Sequence, residues 1–149
     1  DRVSLTDPDY VRREKVVLKL RFHNAHVLLY RGFLETWSMP PLPSDSTYKV
    51  NQCPEAAQGT IRLLFDTYLH ESFFRTWWYD TTYLFNATMV ALVVVFIRVH
   101  EGSVDEISAD IEKALDVFEA MKTIVVARRC ASVLRDVYEA SQELLKKSR

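Results

Sequence analysis

Cysteine and glycine are scarce in this chain of 149 residues, which contains two cysteines, three glycines and five prolines. Cys53 and Cys130 stand alone, without the C-x-x-C or Cys/His spacing of a structural zinc site. Two isolated thiols are typical of a reducing compartment, and three glycines are too few for a glycine-rich phosphate loop. Because so few residues interrupt regular structure, the composition favours long helices over a β fold with many turns.

The chain also lacks an excess of either charge, since 19 basic and 20 acidic residues give a net charge of −1. No overall field therefore attracts nucleic acid or an anionic membrane. We interpret the local basic clusters at residues 12–15, 128–129 and 146–149 as solvated faces. The first residues include neither a Met nor an apolar signal region, so we expect the chain to be a piece of a longer protein.

The hydrophobic pattern predicts a single all-α domain over residues 1–149, with about five helices. It comprises a long first helix, a proline-rich loop, an apolar central helix and two amphipathic C-terminal helices. The first predicted elements are a helix Asp9–Trp37, a loop Met39–Ser46 and a second helix that begins near Asn51 or, alternatively, with Pro54 in its first turn. They are followed by a segment Phe73–Val99, a helix after a capping box at Ser103–Glu106, and a last helix over Ala127–Leu145. The junction at Lys122-Thr123 contains neither Gly nor Pro, so the last two segments are also compatible with one bent helix.

Two apolar stripes run along the predicted first helix. One comprises Val16, Leu20, His23, Val27, Tyr30, Leu34 and Trp37, and the other comprises Leu18, Phe22, Ala25, Leu29 and Phe33. Two stripes predict a helix that is covered on most sides. On this basis we expect His23 and Tyr30 to face the interior and to form hydrogen bonds there. We expect Arg31, on the same face as Asn24, to pair with a carboxylate or with helix-end carbonyls of a neighbouring helix.

Residues 81–97 form a run without a charged side chain. The length of this run is at the lower limit for a helix that spans a membrane. Asp80 and Arg75 lie just before this run, and the other helices are amphipathic in a way that requires a central hydrophobic partner. We therefore expect a buried central helix and no membrane contact.

No pattern of reactive residues identifies an enzyme. His23 and His26 are three residues apart, near one helix face, but zinc would need further ligands from elsewhere. His70 and His100 each precede a Glu without completing H-E-x-x-H, and no G-x-S-x-G elbow occurs. Carboxylate pairs such as Asp105/Glu106 and Asp110/Glu112 lie on predicted helices, and we interpret them as solvent-exposed side chains rather than as catalytic acids and bases. We predict no catalytic site, no metal and no cofactor in this chain.

Ligand binding remains open for a small group of aromatic and polar side chains. Aromatic residues with a polar group bind planar or apolar ligands, and they also make ordinary core contacts, which we favour here. The candidates for ligand-binding or buried polar residues are His23, Asn24, Tyr30, Arg31, Trp77, Trp78 and Tyr83.

Three blocks of sequence together resemble the middle homology region of fungal zinc-cluster transcription factors. The first is Leu18-Lys19-Leu20-Arg21-Phe22-His23 followed by Leu28-Leu29-Tyr30-Arg31-Gly32-Phe33-Leu34, where Gly32 replaces the family's Pro. The second is Cys53-Pro54-Glu55-Ala56-Ala57 followed by Ile61-Arg62-Leu63-Leu64. The third comprises Phe74, Trp77, Tyr83-Leu84-Phe85-Asn86-Ala87 and Val90-Ala91-Leu92. A weaker match is Ala127-Arg128-Arg129 leading to Leu134, which is similar to the family's closing helices.

The resemblance, which covers most of residues 16–145, implies the C-terminal part of an all-α regulatory domain in a nuclear or cytosolic protein. It implies that zinc and specific DNA binding belong to a separate six-cysteine domain, which two cysteines cannot form. The implied partners are other domains of the same protein, coregulators, a small hydrophobic effector or a second copy of the chain. If upstream helices are missing, we expect an exposed apolar patch and self-association. The alternatives are a helical interaction scaffold without a ligand and a membrane-associated helical protein.

Overall fold

Five α-helices and one 3₁₀-helix form the chain where the computed structural model describes it, at residues 6–38, 44–71, 80–98 and 104–148. They are α1 (Asp9–Tyr30), the 3₁₀-helix (Arg31–Ser38), α2 (Ser44–His70), α3 (Asp80–Ile97), α4 (Asp105–Ala120) and α5 (Val125–Ser148). No strand occurs in these ranges. The predicted all-α class with about five helices is confirmed.

The first helix is shorter than predicted. The α-helical part begins after Pro8 and ends at Tyr30, and the chain continues as a 3₁₀-helix to Ser38. The Arg31 N–H still donates to the Val27 carbonyl, but Gly32 has the lowest helix propensity of any residue except proline. The tighter 3₁₀ winding, which is frequent at the C-terminal ends of α-helices, therefore begins at this point.

Helix α2 begins at Ser44, seven residues before the predicted start at Asn51, and runs through Pro54. Of the predicted proline-rich loop, residues 39–43 lie outside the described ranges, and 44–46 are helical. Pro54 is buried and inside the helix rather than in its first turn.

Helices α1 and α2 pack antiparallel. Arg12 at the start of α1 pairs with Glu71 just after α2, with Nη2 and Oε2 3.2 Å apart. Near the other end, the Cys53 thiol donates to the Val27 carbonyl over 3.7 Å. Helix α2 also packs against α3 and α4, and α3 packs against α4 and α5. The largest fully buried side chains, which come from all five helices, are Phe118, Leu20, Ile61, Leu64, Leu84, Leu92, Ile111, Leu134, Val16, Val50 and Val94.

The central helix α3 has nine buried residues, consistent with the predicted buried central helix. It is also long and apolar enough to cross a membrane, and half of its 18 residues are buried inside the fold. The core helix of a soluble protein meets the same criterion, so the absence of membrane contact stays a prediction.

Helices α4 and α5 are separate, because the chain turns at Met121–Ile124. The Met121 N–H contacts the carbonyls of Val117 and Phe118, and the Ile124 N–H donates to the Met121 carbonyl. Helix α4 is capped by Val104 without a side-chain hydrogen bond. The predicted capping residue Ser103 lies outside the described ranges, and Glu106 instead accepts a hydrogen bond from Arg62.

Candidate functional site

The exposed side of α1 carries several large apolar side chains. Leu18, Phe22 and Leu29 are 70%, 58% and 66% exposed, and Ala25 between them is exposed as well. These four residues, which we call the outer stripe, recur at steps of four, three and four. Such steps place them on one face of the helix. The prediction that the first helix is covered on most sides is therefore wrong, because only Val16, Leu20 and Val27 of α1 are buried, with Leu34 of the 3₁₀-helix continuing their stripe.

The outer stripe has an uneven profile. Ala25 is the smallest member of the stripe and lies one turn from both Phe22 and Leu29. Leu28, 51% exposed, extends the apolar surface along one edge. Large apolar side chains arranged continuously in water are typical of a surface that binds another molecule.

A row of aromatic rings runs beside the stripe. The ring centroids are 4.4 Å apart for Phe22 and His26, 5.7 Å for His26 and Tyr30, and 6.1 Å for Tyr30 and Phe33. The Lys49 ammonium lies 5.9 Å from the Phe33 centroid. The structure thus joins His26 and Tyr30 by ring contacts rather than by hydrogen bonds.

His23 lies at the crossing of α1 and α2, edge-on to Phe22 with a centroid separation of 5.8 Å. Its ring covers Gly59, and a Cβ at that position would be 2.8 Å from His23 Cε1. Burial lowers the pKa of His23, and the neighbouring charges of His26 and Lys19 lower it further. A neutral ring therefore packs on the glycine. The expectation that His23 and Tyr30 form interior hydrogen bonds is wrong for the described residues, where both make ring contacts and are only half-buried.

This contact gives a prediction for Gly59. In the wild-type background Gly59→Ala should give little or no stabilisation, because the gain in helix propensity of about 1 kcal/mol is offset by displacement of the His23 ring. In a His23→Ala background the same change should stabilise by about that 1 kcal/mol. Urea unfolding of the four proteins measures the difference. Gly32→Ala is the matched control, since no atom lies within 4 Å of its Cβ position; equal effects of Gly59→Ala in both backgrounds would contradict the contact.

The remaining predicted site residues are dispersed. Asn24 is half-buried on α1, and Arg31 is exposed without an ion pair among the described residues, so its expected pairing is not observed. Tyr83 lies partly buried against the core and belongs to α3, outside the row of rings. Trp77 and Trp78 lie outside the described ranges.

Neither cysteine has the environment of a nucleophile. Burial raises the pKa of the Cys53 thiol to about 11, although the charge of Arg31 acts in the opposite direction. Burial also raises the pKa of Cys130. The thiolate is the reactive form of cysteine, and a raised pKa favours the unreactive thiol at neutral pH.

The sequence interpretation missed a buried charge cluster between α2 and α4. Asp110, taken as a solvent-exposed carboxylate, has a side chain that is only 1% exposed. Its Oδ2 accepts hydrogen bonds from Arg62 Nε at 2.9 Å and Gln58 Nε2 at 3.1 Å, and its Oδ1 accepts one from Lys113 at 2.9 Å. Burial alone would raise the pKa of Asp110, but these bonds from Arg62 and Lys113 outweigh it and lower the pKa.

A signal for this cluster was present in the sequence. Asp110 lies three residues after Ile107 and four before Ala114, which places it on the apolar face of α4. A carboxylate on that face has to be paired when the helix packs. The Asp110 carboxylate already accepts hydrogen bonds from three side chains, so it is not free to bind a substrate. The cluster instead links α2 to α4.

A groove of about 290 Å³ lies between the first half of α4 and the second half of α5. It is lined by Asp105, Ser108, Ala109, Glu112, Tyr138, Gln142, Leu145 and Lys146. The Tyr138 hydroxyl donates to Glu112 Oε1 at 2.9 Å, and burial together with this carboxylate raises the pKa of Tyr138 to about 12. Its lining combines polar or charged side chains with apolar surface in about equal measure, which differs from the predominantly apolar pocket expected for a hydrophobic effector.

Within the described ranges, no three His, Cys, Asp or Glu side chains converge in a way that could hold a metal ion. The fold and its surfaces define an all-α protein with an exposed apolar face on α1. No family model, curated protein or solved structure matches the chain.

Proposed function

We propose that this chain is a non-enzymatic regulatory domain of a fungal zinc-cluster transcription factor. In this proposal it restrains or permits activation in the nucleus through contacts with other domains of the same protein, coregulators or a second copy. Specific DNA binding and zinc belong to a separate domain, and the chain itself uses no cofactor.

One observation carries the proposal: the three blocks on which the family resemblance rests form one packed unit. The first block lies on α1 and the 3₁₀-helix, the second on α2 and the described part of the third on α3. His23 of the first block covers Gly59, close to the second block, and Cys53 of the second bonds to the Val27 carbonyl. Buried residues of the second and third blocks that share this core are Cys53, Ala56, Ala57, Ile61, Leu64, Leu84, Ala87, Ala91 and Leu92.

The three blocks share one core, as a resemblance to a single family domain requires, and the outer stripe supplies a surface for regulatory contacts. A regulator of this kind acts by favouring one of two conformational states of the larger protein. The outer stripe is available for that purpose because it contributes nothing to the domain's own core.

A reporter assay tests this function. The chain would be placed between a heterologous DNA-binding domain and a constitutive activation domain. We expect reporter output to fall at equal protein level, and the double variant Leu18→Gln/Leu29→Gln to restore it. Leu144→Gln is the matched control, because Leu144 is an exposed leucine on α5. Unchanged output with the wild-type chain would contradict a regulatory role and favour a helical interaction scaffold.

A further inference from the structure

The groove between α4 and α5 has two walls of opposite chemical character. The wall formed by α4 carries two carboxylates, those of Asp105 and Glu112, and the wall formed by α5 carries the donors Gln142 and Lys146. A carboxylate only accepts hydrogen bonds and an ammonium only donates them. A molecule that lies across the groove can therefore pair a positive group with one wall and a negative group with the other.

Gln142 has a donor that the fold itself does not use. Its amide nitrogen is buried, and within the described ranges it has no hydrogen-bond partner. An unpaired buried donor costs free energy. Because the terminal torsion of a glutamine is soft, a rotation of the amide can bring this N–H to an acceptor in the groove. Lys146 lies one turn further along the same face of α5, so both donors can converge on one carboxylate of a ligand.

On the opposite wall, Glu112 is oriented by a neighbour. The Tyr138 hydroxyl donates to its Oε1 at 2.9 Å. This bond holds the carboxylate beside the groove, where its Oε2 can accept a hydrogen bond from the ammonium of a ligand. Asp105 lies seven residues before Glu112, so the negative charge extends along two turns of the same wall.

Size and apolar surface restrict the ligand further. The groove volume of about 290 Å³ is at the lower end of the range of about 300–1,000 Å³ that is typical of small-molecule sites. Ala109 and Leu145 also line the groove and offer an apolar contact between the polar groups. A small molecule that combines an ammonium, a carboxylate and an apolar group matches all three features, and free amino acids with aliphatic side chains have this composition.

We propose that the groove between α4 and α5 binds a free amino acid with an aliphatic side chain. The ligand's carboxylate accepts hydrogen bonds from Gln142 and Lys146, its ammonium donates to Glu112, and its side chain packs on Ala109 and Leu145. This site is separate from the outer stripe and from the regulatory role proposed above, so either proposal can fail without the other.

An NMR titration of the wild-type chain with L-leucine tests the inference. We expect saturable shifts of backbone amides in the first half of α4 and the second half of α5, with a Kd of about 1 mM or lower. N-acetyl-L-leucine lacks the ammonium and L-leucine amide lacks the carboxylate, and each should bind about fivefold or more weakly. No saturable shift at about ten times the expected Kd would overturn the inference, and so would equal binding of L-leucine and either analogue.

Two pairs of variants locate the binding site. Lys146→Met should weaken L-leucine binding by at least about threefold, whereas Lys147→Met, at an exposed lysine that does not line the groove, should leave it unchanged. Glu112→Gln keeps an acceptor for the Tyr138 hydroxyl and removes the charge, so it should weaken binding by a similar factor. Its control is Glu143→Gln, at an exposed position of α5 outside the groove.

All four substituted side chains are exposed, so we expect each variant to fold. If one of the groove variants does not, the two analogues of L-leucine on the wild-type chain still decide the question. Unchanged binding to both groove variants would place the site elsewhere and overturn the inference. L-leucine amide binding that equals L-leucine binding would assign the groove to amines in general, such as the amino-terminal residue of a peptide, and would also overturn it.

Discussion

Replacing Arg62 with leucine should lower the free energy of unfolding by about 2–3 kcal/mol at neutral pH, since breaking a buried ion pair costs about 3–5 kcal/mol. Asp110 is 1% exposed and would lose a donor whose Nε and Nη2 atoms lie 2.9 Å and 2.7 Å from Oδ2. The expected loss of unfolding free energy is smaller than that of a fully buried ion pair for two reasons. The Arg62 side chain is 43% exposed, and Gln58 and Lys113 continue to donate to the carboxylate.

The same pair has a defined pH dependence. The pKa of Asp110 is lowered in the folded state, so the contribution of this carboxylate is present above its unfolded pKa of about 4. It is lost as the pH falls through the lower folded pKa, where the carboxylate becomes protonated. Arg62→Leu removes the contact that lowers the pKa of Asp110 most. We therefore expect the loss of unfolding free energy caused by this substitution to become smaller as the pH falls towards about 3, below the unfolded pKa of Asp110.

Urea unfolding of the wild type and of Arg62→Leu at neutral and acidic pH measures both effects. The matched control is Arg135→Leu, because Arg135 pairs with Glu119 at 3.5 Å between two side chains that are about half exposed. Exposed pairs of this kind contribute little to stability, because water and salt screen the two charges. Equal losses in the two variants at neutral pH would show that the Asp110 cluster does not stabilise the contact between α2 and α4.

Periodicity predicted the helices well because each one buries a face of its own. The inner stripe of α1, with Val16, Leu20 and Val27, is buried as its three- and four-residue steps indicate. The helix ends were less predictable. Gly32 and Pro54 are both local signals, yet the chain continues in 3₁₀ form after the first and in α form through the second. Tertiary packing overrides weak local preferences of this kind.

The outer stripe shows what periodicity leaves out. Leu18, Phe22 and Leu29 have the same spacing as a buried stripe, and nothing in that spacing states whether another element covers them. The Asp110 cluster has a related origin. Its place on the apolar face of α4 was readable, but its partner Arg62 is 48 residues away along the chain. Only the fold brings the two together, and the contact of His23 with Gly59 depends on the crossing of α1 and α2 in the same way.

Replacing Asp80 with asparagine should raise the free energy of unfolding by about 3 kcal/mol at pH 8. Asp80 is 1% exposed, and in the described part of the chain neither carboxylate oxygen has a hydrogen-bond partner. Burial raises its pKa from an ordinary 3.8 to about 7. This difference in pKa means that the ionised form of Asp80 destabilises the folded state by about 4 kcal/mol. Asp80 lies in the first turn of α3, where the positive end of the helix dipole offsets up to about 1 kcal/mol of that cost.

The pH dependence of this effect is opposite to that of Asp110. A carboxyl group with a raised folded pKa costs nothing below its unfolded value of 3.8, where both states are protonated. Stability then falls as the pH rises towards about 7, and the full cost is present above it. The gain from Asp80→Asn should therefore be near zero at pH 4 and largest at pH 8. Asp116→Asn is the control, since Asp116 is exposed on α4, and it should show no such trend. A gain for Asp80→Asn that is equal at both pH values would mean that Asp80 is not protonated preferentially in the folded protein.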